Sequence, residues 1–348
     1  MHLNMELIRL SLTFAAMRLW PALLVLLLAV VSCRQTEEKC AFIPDSSDIT
    51  IDLDMVQLQD SVAAIGSKQA LVDFFSRHEV LRDIFFNRPS YPNDSVFINE
   101  LYQRFTNPHF DSLLIDTKGV FGNLQQLEKE LTTAFQNVTY YYPDFKTPRI
   151  ETVITGLESD LYVSDSLIII GLDYYLGTGA KYRPNMYDYM LRRYQKNFIV
   201  PSILLLYGID MQFNKTNLDD RTVLADMITY GKTYYFAKQM LPCTHDSVFI
   251  GYTPEEMEGA RQNSDLIWKR LVEDEVFYAT SHLIKQKYIA ERPKTLEVGE
   301  KCPGRIGTWV GWEIVKKYMQ KNETTTLPQL MQNADASKIF RESGYKPL

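Results

Sequence analysis

Three short strand-like segments in the middle of the chain constrain its fold the most. Residues 149–155 are rich in β-branched side chains, residues 160–163 and 166–170 are typical of two further strands, and residues 171–177 follow directly as a turn or a strand end. Helical patterns lie on both sides of this region. The sequence therefore predicts an α+β fold that is mostly helical and contains one small sheet of three or four strands.

The helical patterns are defined by apolar spacing and by capping residues. Apolar residues recur at steps of three and four from about residue 56 to residue 135. After the sheet, Thr253, Pro254 and Glu256 are typical of a helix start, with a cap, a first-turn proline and a capping-box acid. Helices are predicted over residues 222–240, 253–275 and 304–319.

A glycine pair on the last of these helices predicts close packing. Gly307 and Gly311 are one turn apart, and the missing side chains would let a neighbouring helix approach. We interpret residues 51–348 as a single domain, helical to about residue 140 and built from the sheet and further helices after residue 141.

Composition excludes some classes of protein. The chain has 348 residues, of which 46% are hydrophobic and 23% charged, and this balance is typical of a globular protein with a sizeable core. The net charge of -6 argues against a general nucleic-acid binder, which needs a basic surface. We therefore expect no nucleic acid among the partners.

The N-terminus has the features of an export signal. An apolar run over residues 19–31 follows Arg18 and is too short to span a bilayer comfortably. The stretch Val30-Val31-Ser32-Cys33 resembles a bacterial lipobox, which implies cleavage before Cys33 and attachment of acyl chains there. Residues 1–32 would be the signal peptide, and residues 33–50 would be a lipidated tether. A translation start at Met17 would also give a complete signal peptide.

The alternative is a plain signal peptide in which Cys33 is incidental. The lipoprotein interpretation predicts anchoring to the membrane through Cys33, facing the periplasm or displayed on the outer surface. Three cysteines follow the anchor, and a disulfide such as Cys243 with Cys302 is expected in an oxidising compartment, with Cys40 left over.

The sequence has no recognisable catalytic constellation. A zinc hydrolase needs two histidines one helical turn apart, but Arg82 stands where the partner of His78 would be. The remaining histidines are isolated, and there is no nucleophile elbow, P-loop or dinucleotide fingerprint. The sequence therefore predicts no enzyme activity, no catalytic metal and no cofactor.

Several stretches from about residue 140 to the C-terminus together carry a family resemblance. They are Tyr141-Tyr142-Pro143-Asp144-Phe145-Lys146-Thr147-Pro148, the segments 167–177, 227–232, 250–253 and 263–268, Pro303 to Trp312, and Tyr345-Lys346-Pro347. In these stretches the chain resembles the gliding motility lipoprotein GldB of Bacteroidota. The resemblance implies an envelope lipoprotein associated with gliding motility and protein secretion. It also implies a degenerate zincin-like core, since the family is similar to predicted metalloproteases, whereas residues 227–232 contain no histidine.

Aromatic and charged residues of these stretches predict a binding groove, because clustered Tyr and Trp with a few charges suit peptide or glycan contact. The candidate residues are Asp173, Tyr174, Tyr175, Tyr230, Lys232, Arg305, Trp309 and Trp312. The alternative is that Trp309, Trp312 and Trp268 are core residues. Arg305 at a helix start should pair with a carboxylate, and Asp173 and Glu313 are candidates.

These observations leave three functional hypotheses. The first is a non-enzymatic lipoprotein of the motility or secretion machinery. The second is a zincin-like peptidase with an unusual site, and the third is a surface lipoprotein that binds glycans or peptides.

Overall fold

The computed structural model describes residue 40 and residues 42–347. Its four strands are β1 (Met55–Gln57), β2 (Arg149–Val153), β3 (Leu161–Val163) and β4 (Leu167–Gly171). They form one mixed sheet in the order β1-β2-β4-β3. The first three strands in that order run parallel, and β3 pairs antiparallel with β4 at the edge. The α+β class and the small sheet predicted from the sequence are confirmed.

The helices fall into two groups along the chain, one between β1 and β2 and one after β4. Between the strands β1 and β2 lie α1 (Gln59–Ala63), α2 (Lys68–Arg77), α3 (Asp94–Phe105), α4 (Pro108–Phe121) and α5 (Gln125–Tyr141). After the sheet come α6 (Asp188–Leu191), α7 (Ile199–Ile209), α8 (Val223–Met240), α9 (Asp246–Ile250), α10 (Pro254–Gln262), α11 (Ser264–Glu273), α12 (His282–Tyr288), α13 (Ile306–Lys321), α14 (Leu327–Gln332) and α15 (Ala336–Ser343). Short helical turns occupy Leu81–Phe85, Arg88–Ser90, Leu172–Tyr175 and Lys196–Phe198.

The central strand β4 separates two hydrophobic cores. Successive side chains of a strand point to opposite faces of the sheet. Ile169 accordingly belongs to the core formed with the N-terminal helices, whereas Ile168 and Ile170 belong to the core formed with the C-terminal helices. Both faces of the sheet are therefore covered, which explains why β4 reads as an unbroken apolar run.

Two predicted elements differ from the structure. Strand β1 was not predicted, because its three residues carry no alternation that distinguishes them from the helical pattern around them. The predicted helix over residues 253–275 is divided into α10 and α11 at Asn263. Its start is as predicted, since Thr253 and Glu256 form a reciprocal capping box.

The segment predicted as a tether is attached to the body of the protein. Cys40 forms a disulfide with Cys243, so the predicted Cys243–Cys302 pair is wrong, and among the described residues Cys302 is the free thiol. Further along, Ser46 donates a hydrogen bond to Asn137 at 2.8 Å, and Gln136 donates one to the carbonyl oxygen of Ile49. Cys33 lies outside the described residues.

Within the described part of the chain, helices fall short of the length and apolarity that a membrane crossing requires.

Candidate functional site

The eight residues predicted to line a groove do not form one. Asp173, Tyr175 and Lys232 are buried, and so are Trp309 and Trp312, each with about 1% of its surface exposed. The two tryptophans are core residues, as the alternative interpretation proposed. Tyr230 is exposed, whereas Tyr174 and Arg305 are half-buried.

Asp173 stabilises the turn between β2 and β3. Its carboxylate accepts hydrogen bonds from the backbone N–H groups of Thr155 at 3.0 Å and Leu157 at 2.6 Å. Gly156 and Leu157 both have positive φ angles, and two hydrogen bonds to one carboxylate help to hold this unusual turn. Complete burial raises the pKa of Asp173, which these bonds oppose. Its contacts give it a structural role.

Lys232 ties helix α8 to two other segments. Its Nζ donates to the backbone carbonyl oxygens of Lys215 at 2.7 Å, Asn333 at 2.9 Å and Met331 at 3.3 Å. These carbonyls belong to the chain after α7 and to the end of α14. Burial lowers the pKa of Lys232 to about 7, because the ammonium group has lost water without gaining a carboxylate in exchange.

Replacing Lys232 with methionine should remove a pH dependence of stability. The pKa of Lys232 is about 7 in the folded chain and 10.5 in a model peptide, so the unfolded chain binds more protons between these values. The wild-type free energy of unfolding should therefore rise, relative to Lys232→Met, by about 1 kcal/mol from pH 7 to pH 8. Urea denaturation of both proteins at the two pH values measures this difference, and parallel pH profiles would contradict it.

Arg305 pairs with a different carboxylate from those predicted. Its guanidinium donates to the carbonyl oxygen of Ile250 and lies 3.5 Å from Glu291, which also binds Arg193 at 2.8 Å. The predicted partners, Asp173 and Glu313, are wrong, since Asp173 is committed to the β2–β3 turn and Glu313 pairs with Lys316 at 2.6 Å. Arg305 therefore joins the start of α13 to the end of α9.

Helix α8 lies very close to helix α13. A Cβ atom on Gly311 would overlap the carbonyl oxygen of Met227, and one on Gly231 would overlap the carbonyl oxygen of Gly311. The close approach predicted for Gly311 is therefore present, and Gly231 is its partner. The buried face of α8 between Met227 and Gly231 has neither metal-binding side chains nor the room for an ion.

This arrangement does not fit the metal centre of a zincin-like peptidase. Among residues 40 and 42–347, no group of three or more His, Cys, Asp or Glu side chains is placed to hold a metal ion. The absence of enzyme activity stays a prediction.

A charged cluster that the sequence did not reveal surrounds Asp246 at the start of α9. Its carboxylate lies 3.1 Å from Lys238, 3.2 Å from Lys316 and 3.3 Å from Arg261. Burial alone would raise the pKa of Asp246, but the two lysines outweigh burial and the pKa is lowered. The cations come from three different helices, so sequence spacing gives no signal for this cluster. It joins α8, α10 and α13 to α9.

An open pocket of about 410 Å³ is lined by aromatic and charged side chains and is large enough to receive a small ligand. We call it the Tyr142 pocket. Its walls are the loop after α5 (residues 142–146), the β3–β4 turn (residues 163–165), the end of α7 with the turn that follows (residues 206–213), and Gln332. The first wall comes from the Tyr141–Pro148 motif, which is the only part of this site that the sequence drew attention to.

The rings of the Tyr142 pocket pack against one another. Tyr142 contacts Phe213 with ring centroids 5.1 Å apart, and Phe145 contacts Tyr207 at 5.9 Å, both edge to face. The hydroxyl of Tyr207 donates to the carbonyl oxygen of Ser164 at 2.9 Å, which fixes α7 against the β3–β4 turn. The hydroxyl of Tyr142 is buried and has no hydrogen-bond partner in the described part of the chain. A ligand in this pocket would therefore meet a preformed aromatic wall.

Comparison with known proteins gives one match. The family model described as gliding motility protein GldB matches residues 39–347, nearly the whole chain. No curated protein and no solved structure matches the chain.

Proposed function

Because the chain belongs to the gliding motility protein GldB family, we propose that it is a lipid-anchored envelope protein that serves gliding motility or the associated protein secretion. The family match over residues 39–347 is the observation that carries this proposal. The lipobox-like stretch ending at Cys33 supports an anchor there. The Cys40–Cys243 disulfide supports export, since such bonds persist in oxidising compartments.

We further propose that the protein acts by contact with other envelope or motility proteins and not by catalysis. A zincin-like peptidase would need two imidazoles directed at one ion from a helix such as α8. The close packing of Gly231 against Gly311 supports the contact function, because it fills the buried side of α8 with backbone. The Tyr142 pocket provides a concave surface through which contact can occur.

Gene deletion and complementation in the source organism test the proposal. Deletion should abolish movement of cells over a surface or reduce protein secretion, and the wild-type gene should restore it. The Cys33→Ala protein should leave the membrane fraction and fail to complement. Cys302→Ala is the matched control, because Cys302 is a free thiol within the body and its loss should leave both anchoring and complementation intact.

Three outcomes would count against parts of this function. Normal movement and secretion after deletion would contradict the motility role. Retention of the Cys33→Ala protein in membranes would contradict the anchor. Peptide cleavage by the purified protein that stops when a chelator is added would contradict the non-enzymatic role.

A further inference from the structure

The charges around the Tyr142 pocket are unbalanced. Three carboxylates, from Asp144, Asp165 and Asp210, line it together with a single basic residue, Lys146. Within the described residues, none of the three carboxylates forms an ion pair. Asp210 accepts only a local hydrogen bond from the backbone of Gln212 at 2.7 Å. The lining therefore carries a formal charge of about -2 at neutral pH.

Two of these carboxylates act on the aromatic wall itself. Tyr207 is buried, and its pKa is raised first by burial and then by the charges of Asp165 and Asp210. These two residues come from different walls, the β3–β4 turn and the end of α7, so two separate segments contribute negative charge beside Tyr207. Carboxylates beside aromatic rings suit a cation that has a flat or apolar body.

We propose that the Tyr142 pocket binds an arginine side chain presented by an exposed segment of a protein partner. A guanidinium can bind carboxylates through paired hydrogen bonds and can also pack on aromatic rings, which an ammonium does less well. The pocket volume of about 410 Å³ leaves room for an apolar neighbour of the arginine beside Phe145 and Phe213.

The ring of Tyr142 belongs to the aromatic wall, but its hydroxyl is buried, so an arginine would meet the ring and not the hydroxyl. A neutral glycan would use the rings but would leave the negative charge of the pocket uncompensated. Charge complementarity therefore favours a basic peptide segment. This inference rests on the proposed contact function, since the partner is taken to be a protein.

Titration of the full chain, purified with mild detergent, against blocked tripeptides tests the proposal. The probes are acetyl-Leu-Arg-Gly-amide and the same peptide with citrulline, a neutral isostere, in place of arginine. Isothermal calorimetry or saturation-transfer NMR should show the arginine peptide binding about tenfold more tightly, because only arginine carries the charge. Its affinity should fall as salt increases.

Variants identify the groups responsible. Asp165→Asn and Asp210→Asn should each weaken arginine-peptide binding by about fivefold. Asp116→Asn is the matched control, because Asp116 is an exposed carboxylate on α4, away from the pocket lining, and its loss should leave binding unchanged. Tyr142→Phe keeps the ring of the aromatic wall and removes only a buried hydroxyl without a partner in the fold, so it should leave binding unchanged and should not lower the melting temperature.

Equal binding of the arginine and citrulline peptides would overturn the proposal. Unchanged binding by both aspartate variants would also overturn it, as would binding of a chitin trisaccharide in place of either peptide. So would failure of the wild-type chain to bind the arginine peptide at concentrations up to about 10 mM. These results are independent of cell movement, so the motility role can fail while the pocket binds arginine, and the reverse.

Discussion

Replacing Gly311 with alanine is expected to lower the free energy of unfolding by about 3 kcal/mol. The new Cβ atom would overlap the carbonyl oxygen of Met227 and lie 2.9 Å from its Cα atom. Both obstacles are backbone atoms of a helix interior, which cannot rotate away as a side chain can. Helices α8 and α13 would have to separate, and Trp312, which is buried on α13, would lose its ring contact with Tyr234 of α8.

Urea denaturation of the variant and the wild type measures this loss as a lower midpoint with an unchanged slope. Gly119→Ala is the matched control, since Gly119 lies in helix α4 and a Cβ atom there would meet nothing within 4 Å. It should leave stability unchanged or raise it by up to about 1 kcal/mol, because alanine is the better helix former. If both substitutions changed the free energy of unfolding equally, the contact between α8 and α13 would have room for a Cβ atom at Gly311.

The sequence predicts the elements of this fold better than their contacts. The strands β2 and β4 can be predicted because β-branched residues cluster in them, and β3 because it is a short apolar run between them. The start of α10 can be predicted from its capping box. The glycine pair on α13 indicates close packing, but only the structure shows that Gly311 lies against Gly231 of α8, whereas Gly307 lies against Tyr288 at the end of α12. Spacing along one helix carries no information about which other helix lies against it.

The predicted groove fails for a related reason. Tyr and Trp are amphipathic, so their occurrence in a motif does not distinguish a binding surface from a core. Trp309 and Trp312 lie on the side of α13 that is covered, whereas Tyr142 and Phe145 lie in a loop that remains open. The Tyr142 pocket is assembled from three loop and turn segments and from Gln332, which is far from them in sequence. Residue patterns along one sequence give no signal that these parts of the chain meet.

Removing the Cys40–Cys243 disulfide is expected to cost about 4 kcal/mol of stability. The bond closes a loop with a sequence separation of 203 residues, which includes the N-terminal helices and the whole sheet. Without the bond, the unfolded chain has a higher conformational entropy, and this increase grows with the length of the loop that the bond closed. The sequence did not predict this pair, because cysteine spacing alone cannot fix connectivity.

Strand β1 determines whether removal of the disulfide destabilises the whole fold or only the N-terminal segment. After Cys40, Ser46 and Ile49 form hydrogen bonds with residues of α5. The chain then continues into β1, which pairs with β2 from Met55 to Gln57. Since β1 belongs to the sheet that supports both cores, the closed loop is part of the cooperative fold. The double variant Cys40→Ala/Cys243→Ala should therefore unfold in one transition at lower urea, and dithiothreitol should lower the wild-type midpoint equally. Cys302→Ala is the control, and its urea midpoint should stay close to that of the wild type. If the double variant had the same midpoint as this control, removal of the disulfide would release only the N-terminal segment.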